Sequence, residues 1–83
     1  MTDGKIKVVT GGKVVGLTRY LMSRDGTAQD AAYRKLCGMK LFDLLSDPDT
    51  RLYLESDKYL ESACQAELDR GIDAMYDFIK PED

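Results

Sequence analysis

The sequence predicts a mainly α protein, a small bundle of three to four helices, with or without a short β element near the N-terminus. Three observations carry this. The last third places apolar residues at helical spacing. Met39–Ser46 is a short run, apolar on most sides, between Gly38 and Pro48. Turn and cap combinations punctuate the rest at Ser23–Gly26, Asp47–Thr50 and Ser56–Asp57. A chain of 83 residues makes one domain, residues 1–83. That length buries only about 60–65% of the unfolded surface, so the stability margin is thin.

Taken in order, Met1–Gly4 is expected to fray. Residues 5–12 admit two readings. Ile6, Val8, Val9 and Thr10 favour a strand, and Gly11-Gly12 is a permitted hairpin turn. Val14, Leu17 and Leu21 at helical spacing instead predict a helix over residues 13–23, with residues 5–10 left between strand and helix. After the turn at Ser23–Gly26, Thr27 is the expected N-cap of a helix through Leu36, with Asp30 as its capping-box partner. Gly38 interrupts it.

The next helix, Met39 to Ser46, carries Leu41, Phe42, Leu44 and Leu45 around most of its circumference. A helix apolar nearly all round belongs inside, so this one is expected to anchor the fold. Asp47 before Pro48 ends it. Arg51–Glu55 is expected to be extended, with Leu52 and Leu54 alternating against Tyr53. Ser56 and Asp57 then cap a last helix running to Lys80 and stopped by Pro81, with Gly71 as its weak point. On that helix Leu60, Cys64, Leu68, Ile72, Met75, Phe78 and Ile79 fall within roughly 120° of arc. Asp69, Asp73 and Asp77 lie opposite, with Tyr76 on the same polar side. Glu67 flanks the apolar stripe, where it is expected either to meet water or to pair with Arg34 or Arg51.

Charge is unevenly divided. Residues 1–26 hold five basic residues against two acids, a balance of +3, and residues 27–83 hold seven against thirteen, a balance of −6. Such a dipole steers association, including head-to-tail association with another copy. The acidic body disfavours nucleic acid. The pair Thr27–Leu36 and Met39–Ser46 resembles a helix-turn-helix in outline. Its second helix would offer base edges only Lys40 and Asp43, which suits that role poorly.

Chemistry is sparse. The chain has no histidine, which removes the commonest general base and every Ser-His-Asp or Cys-His arrangement. Thr10-Gly-Gly-Lys13 lacks the first glycine and the following Ser/Thr of a phosphate-binding loop. Asp43, Asp47 and Asp49 do not have calcium-loop spacing. Cys37 and Cys64 are too far apart in sequence for paired zinc ligands, and are expected as reduced thiols packed in the core. No apolar run is long enough to span a membrane.

The run Leu44-Leu-Ser-Asp-Pro-Asp-Thr-Arg-Leu-Tyr-Leu-Glu-Ser-Asp-Lys-Tyr-Leu60 resembles a family of short uncharacterised bacterial proteins with the same progression of Leu-Leu, Asp-Pro, Thr, Leu-Tyr, Ser and Tyr-Leu before an acidic last helix. The resemblance covers residues 27–70. It implies a partner of neighbouring gene products, on the antidote side of toxin–antitoxin-type operons, and carries over no catalytic residue.

The expected function is therefore that of a non-enzymatic, cytoplasmic protein-interaction module. It would bind a partner protein through an acidic helical face, Asp69, Asp73, Tyr76 and Asp77, or through an apolar groove. Self-association as a homodimer or larger homo-oligomer is also expected, and no cofactor, metal or membrane is called for. The alternatives are a nucleic-acid-binding transcriptional regulator and a small-molecule or metal-binding protein with converging carboxylates such as Asp43 and Glu67.

Overall fold

In a computed structural model, which describes residues 2–79, the chain is mainly helical. Five α-helices are present among those residues: α1 Thr2–Asp25, α2 Gln29–Cys37, α3 Lys40–Ser46, α4 Asp57–Arg70 and α5 Ile72–Ile79. Two single 3-10 turns, Pro48–Thr50 and Leu52–Leu54, join α3 to α4. The smallest dimension is 19 Å, close to two helix diameters, so the elements stack as two layers.

The N-terminus departs from expectation. No strand forms among the described residues, and α1 runs through Gly11 and Gly12 from Thr2 onward, where fraying was expected over the first four residues. Leu17 and Leu21, both buried, pin its C-terminal half to the core. Propagating the helix backwards then adds a hydrogen bond per residue, enough to carry it across residues whose own preference is weak. Thr18, also buried, donates its hydroxyl to the carbonyl of Val14 at 2.8 Å, so the polar group is satisfied within the helix.

At Gly26 (φ +67°) the chain leaves α1 in the left-handed region, donating its amide to Met22 at 2.8 Å. The N-cap of α2 is Ala28, one residue later than the expected Thr27, and no side chain caps it. Asp30 instead accepts from the amide of Ala31 at 2.9 Å, and Lys35 pairs with Asp25 at 2.7 Å across the corner. Those local contacts hold the corner without the capping box. Gly38 ends α2 as expected.

Helix α3 lies against α1, α2 and α4. Leu41 and Leu45 have no accessible surface, while Phe42 and Leu44 are half-buried and Asp43 and Ser46 face water. The anchor is therefore the Leu41–Leu45 edge, with Phe42 at its margin. Pro48 opens the first 3-10 turn, where Asp47 accepts from the amide of Asp49 at 3.0 Å. Arg51–Glu55 is not extended. Arg51 adopts a left-handed conformation (φ 58°, ψ 18°), and the following turn buries Leu52 while leaving Leu54 67% exposed. An isolated strip has no ladder partner for its amides, whereas a 3-10 turn pairs them internally.

Ser56 caps α4 as its sequence position predicts, accepting from the amide of Tyr59 at 3.1 Å. The expected single last helix is divided. Gly71 takes φ 102° and ψ 175°, open only to glycine, and reverses the chain. Helix α5 then folds back along α4, bringing Phe78 to Tyr59 with ring centroids 5.0 Å apart. Of the expected stripe, Leu60, Cys64 and Met75 are fully buried and Leu68 and Ile79 half-buried, but Ile72 (48%) and Phe78 (44%) stand partly in water because the reversal turns them outward. The expected stop at Lys80–Pro81 lies outside the described residues.

Lys13 pairs with Asp57 in the first turn of α4, and Arg24 with Asp69 in its last turn. Helices α1 and α4 thus run side by side in the same direction. Residues 2–12 of α1 extend beyond the start of α4 by about 16 Å at 1.5 Å per residue.

Candidate functional site

The reversal at Gly71 places α5 beside the end of α3 and the two 3-10 turns. Between them is a groove of about 620 Å3. Leu44 from α3 and Leu52 from the second turn form its floor, and Tyr76 and Ile79 from α5 its wall. Asp49, in the first turn, and Asp77, on α5, stand on its rim and are exposed. The groove is held open by short-range bonds in the turns. The Thr50 hydroxyl donates to the carbonyl of Leu44 at 2.6 Å, and Arg51 donates its amide to Pro48 at 3.1 Å.

The four residues singled out from the sequence do not share one face. Tyr76 and Asp77 line this groove. Asp69 sits on α4, hydrogen-bonded to Arg24, and that bond lowers its pKa from the ordinary carboxylate value. With Asp77 it borders a smaller cleft of about 390 Å3 between α4 and α5. Asp73 is exposed in the first turn of α5. Leu44, Asp49, Leu52 and Ile79 were not marked as site residues in the sequence. The signal for Leu52 was present, but alternation with Leu54 suggested a strand rather than a turn with one leucine inward.

Another apolar trough, of about 650 Å3, lies where α1 meets α2 and α3, bordered by Lys7, Val14, Tyr33, Phe42 and Pro48. Tyr33 is half exposed there, and the Cys37 side chain one turn on raises its phenol above the usual value. Cys37 is exposed, contrary to the expectation of a core position, because it faces outward in the last turn of α2. Cys64 is buried as expected, 3.9 Å from the Met39 sulfur, and desolvation pushes its thiol up to about 12. A thiol so protonated is a poor nucleophile.

Glu67 meets neither water alone nor Arg34 or Arg51. Its two carboxylate oxygens accept the amides of Lys40 at 2.8 Å and Leu41 at 2.9 Å. It is thus committed to the start of α3, and Asp43 points to solvent. Among the described residues no three Cys, Asp or Glu side chains come together as a metal site would need. Gly11, Gly12 and Lys13 lie inside α1, so their amides serve the helix rather than a phosphate. Among the described residues no helix is long and apolar enough to cross a membrane.

No protein-family profile, no curated protein and no solved structure matches the chain.

Proposed function

We propose that this chain is a non-enzymatic protein-interaction module that holds a partner segment in the groove beside α5. The observation that carries the reading is the coincidence of an apolar floor and wall, Leu44, Leu52, Tyr76 and Ile79, with two carboxylates, Asp49 and Asp77, at the rim. Such a groove suits an amphipathic helix that offers apolar side chains at i, i+3 and i+4 and carries lysine or arginine beside them. Tyr76 supplies the aromatic contact that interfaces favour. Asp77 and Asp49 select a basic partner and Asp73 adds to the field, while Asp69, paired with Arg24, ties α4 to α1 outside the groove. The resemblance to antidote-side operon proteins fits this role, since such a protein works by covering a neighbouring gene's product. A DNA-reading role finds less support, because α3 turns Asp43 and Ser46 outward and keeps Lys40 half-buried.

The test is a photoreactive phenylalanine analogue placed at Tyr76, and separately at the exposed Thr27 in the turn between α1 and α2, in the cytosol of the source cell. Cross-linking to a polypeptide from position 76 in excess of position 27 supports the groove. Equal or absent cross-linking from position 76 removes it.

A further inference from the structure

The groove is acidic and apolar, and the part of α1 that extends past the start of α4 is basic and apolar. We infer that the groove's occupant is a second copy of this chain, docked head to tail through residues 4–12 of its α1. This rests on the groove being a protein-docking site and names the partner.

Charge favours this pairing. The overhang exposes Lys5 on the flank that carries Val8, with Lys7 exposed on the flank toward the trough, and the groove's rim carries Asp49 and Asp77, with Asp73 exposed one turn before Asp77 on α5. The chain's +3 leading segment and −6 remainder orient two copies with unlike ends together. Apolar surface without a cover points the same way. Val8 is 75% exposed and Val9 42%, on a helix whose Gly4, Gly11 and Gly12 have nothing within 4 Å of where a Cβ would stand. Those glycines let another backbone approach closely. Helix stability does so too. This segment combines three glycines with Val8, Val9 and Thr10, all weak helix formers, so a docked neighbour would supply what local preference does not. The lengths agree as well: residues 4–12 span about 14 Å and cover α5, whose eight residues span about 12 Å.

Overhang and groove are different patches, so the contact is heterologous. Copies joined this way close into a ring, of which a reciprocal two-fold pair is the smallest, or extend as a filament.

The experiment is sedimentation of the full chain at about 10 μM and about 1 mM, at low salt and at about 1 M salt, where the Debye length shrinks to about 3 Å. The expected result is a mass that grows past the monomer with concentration at low salt and falls back at high salt. Two double variants sharpen it. Lys5→Glu with Lys7→Glu, and Asp73→Lys with Asp77→Lys, change exposed positions only, and far-UV circular dichroism verifies that each remains helical. Each alone should associate at least tenfold more weakly, and an equimolar mixture should recover association, because each reversed patch then meets its complement. A chain monomeric at about 1 mM overturns the inference, as does association that the charge reversals leave unchanged. A monomeric chain that still cross-links to a different polypeptide from position 76 overturns self-docking while the groove itself stands.

Discussion

Glu67 accepts the backbone amide of Leu41 at 2.9 Å, joining α4 to the first turn of α3 across 26 residues of sequence. Its second oxygen takes the neighbouring amide of Lys40 at 2.8 Å. Met39, which occupies the N-cap position of α3, has no side-chain acceptor, so the cap comes from another helix. A negative group here also meets the positive end of the helix. One carboxylate thus fixes both the start of α3 and its docking on α4.

Removing that carboxylate should cost more than an ordinary surface change. Glu67→Ala leaves two part-buried amides without their acceptor, a loss of about 2 kcal/mol. Glu67→Gln keeps one good acceptor and should lose about half as much. Urea denaturation of the three proteins checks the order. If Glu67→Ala is as stable as the parent, water caps α3 equally well and the cap has no structural role.

Gly71 and Gly11 predict opposite signs for the same substitution. At Gly71 the backbone lies at φ 102°, so Gly71→Ala should destabilise by about 1–3 kcal/mol although there is room for the methyl group. At Gly11, inside α1 and facing open space, alanine replaces glycine in a regular helix and should stabilise by about 1 kcal/mol. Thermal melts of the two variants read both signs. A stabilised Gly71→Ala would mean that α4 and α5 join into one helix and that the reversal is not obligatory.

The two glycine sites also mark the limit of local reading, since Gly11 lies inside a helix where a hairpin turn was permitted and Gly71 divides a helix expected to be continuous. Caps and breaks that depend on a few adjacent residues, such as Ser56 with Tyr59, Asp47 with Asp49, and Gly38 after α2, are visible because their partners lie within three residues. The length of α1 is not. Its first half follows from packing of Leu17 and Leu21 further along, which overrides weak preferences at Gly11 and Gly12. Long-range partners are hidden for the same reason: nothing near Glu67 in sequence points to Lys40. The groove was half legible. Tyr76 and Asp77 stood out as a polar flank, but Leu44 and Leu52 join them only once Gly71 turns α5 back, and that turn was one of two outcomes open to the sequence.

If the Leu41–Leu45 edge anchors the fold, leucines in the same region should differ sharply. Leu45 has no accessible surface, and Leu45→Ala should cost about 3 kcal/mol, combining lost transfer energy with the cavity left behind. Leu54, 67% exposed, should tolerate alanine within about 0.5 kcal/mol. A domain of this size has on the order of 4–12 kcal/mol in total, so the first change should lower the melting temperature by well over ten degrees and the second barely move it. Equal effects would show that α3 is not the centre of the packing.

The thiols supply both a labelling and a pH prediction. In the native chain at pH 8, one thiol should react promptly with a thiol reagent, Cys37, and the second, Cys64, only when urea unfolds the protein. The pH dependence follows from the same burial. The Cys64 thiol is raised from 9.0 to about 12, so between those values the unfolded chain gives up a proton that the folded chain keeps. The stability tied to this group is fully present below pH 9 and is lost as pH rises toward 12, amounting to about 1 kcal/mol by pH 10. Burial raises the Tyr59 phenol as well, and its titration adds a loss of the same sign at higher pH. Comparing Cys64→Ala with the parent, both in a Cys37→Ser background, isolates the thiol, because the cavity left by the substitution costs the same at every pH. The gap between the two proteins should narrow by about 1 kcal/mol from pH 8 to pH 10. A gap that stays constant over that range would mean that Cys64 ionises as easily in the folded chain as in the unfolded one, and that the seal around Met39 and Cys64 admits water.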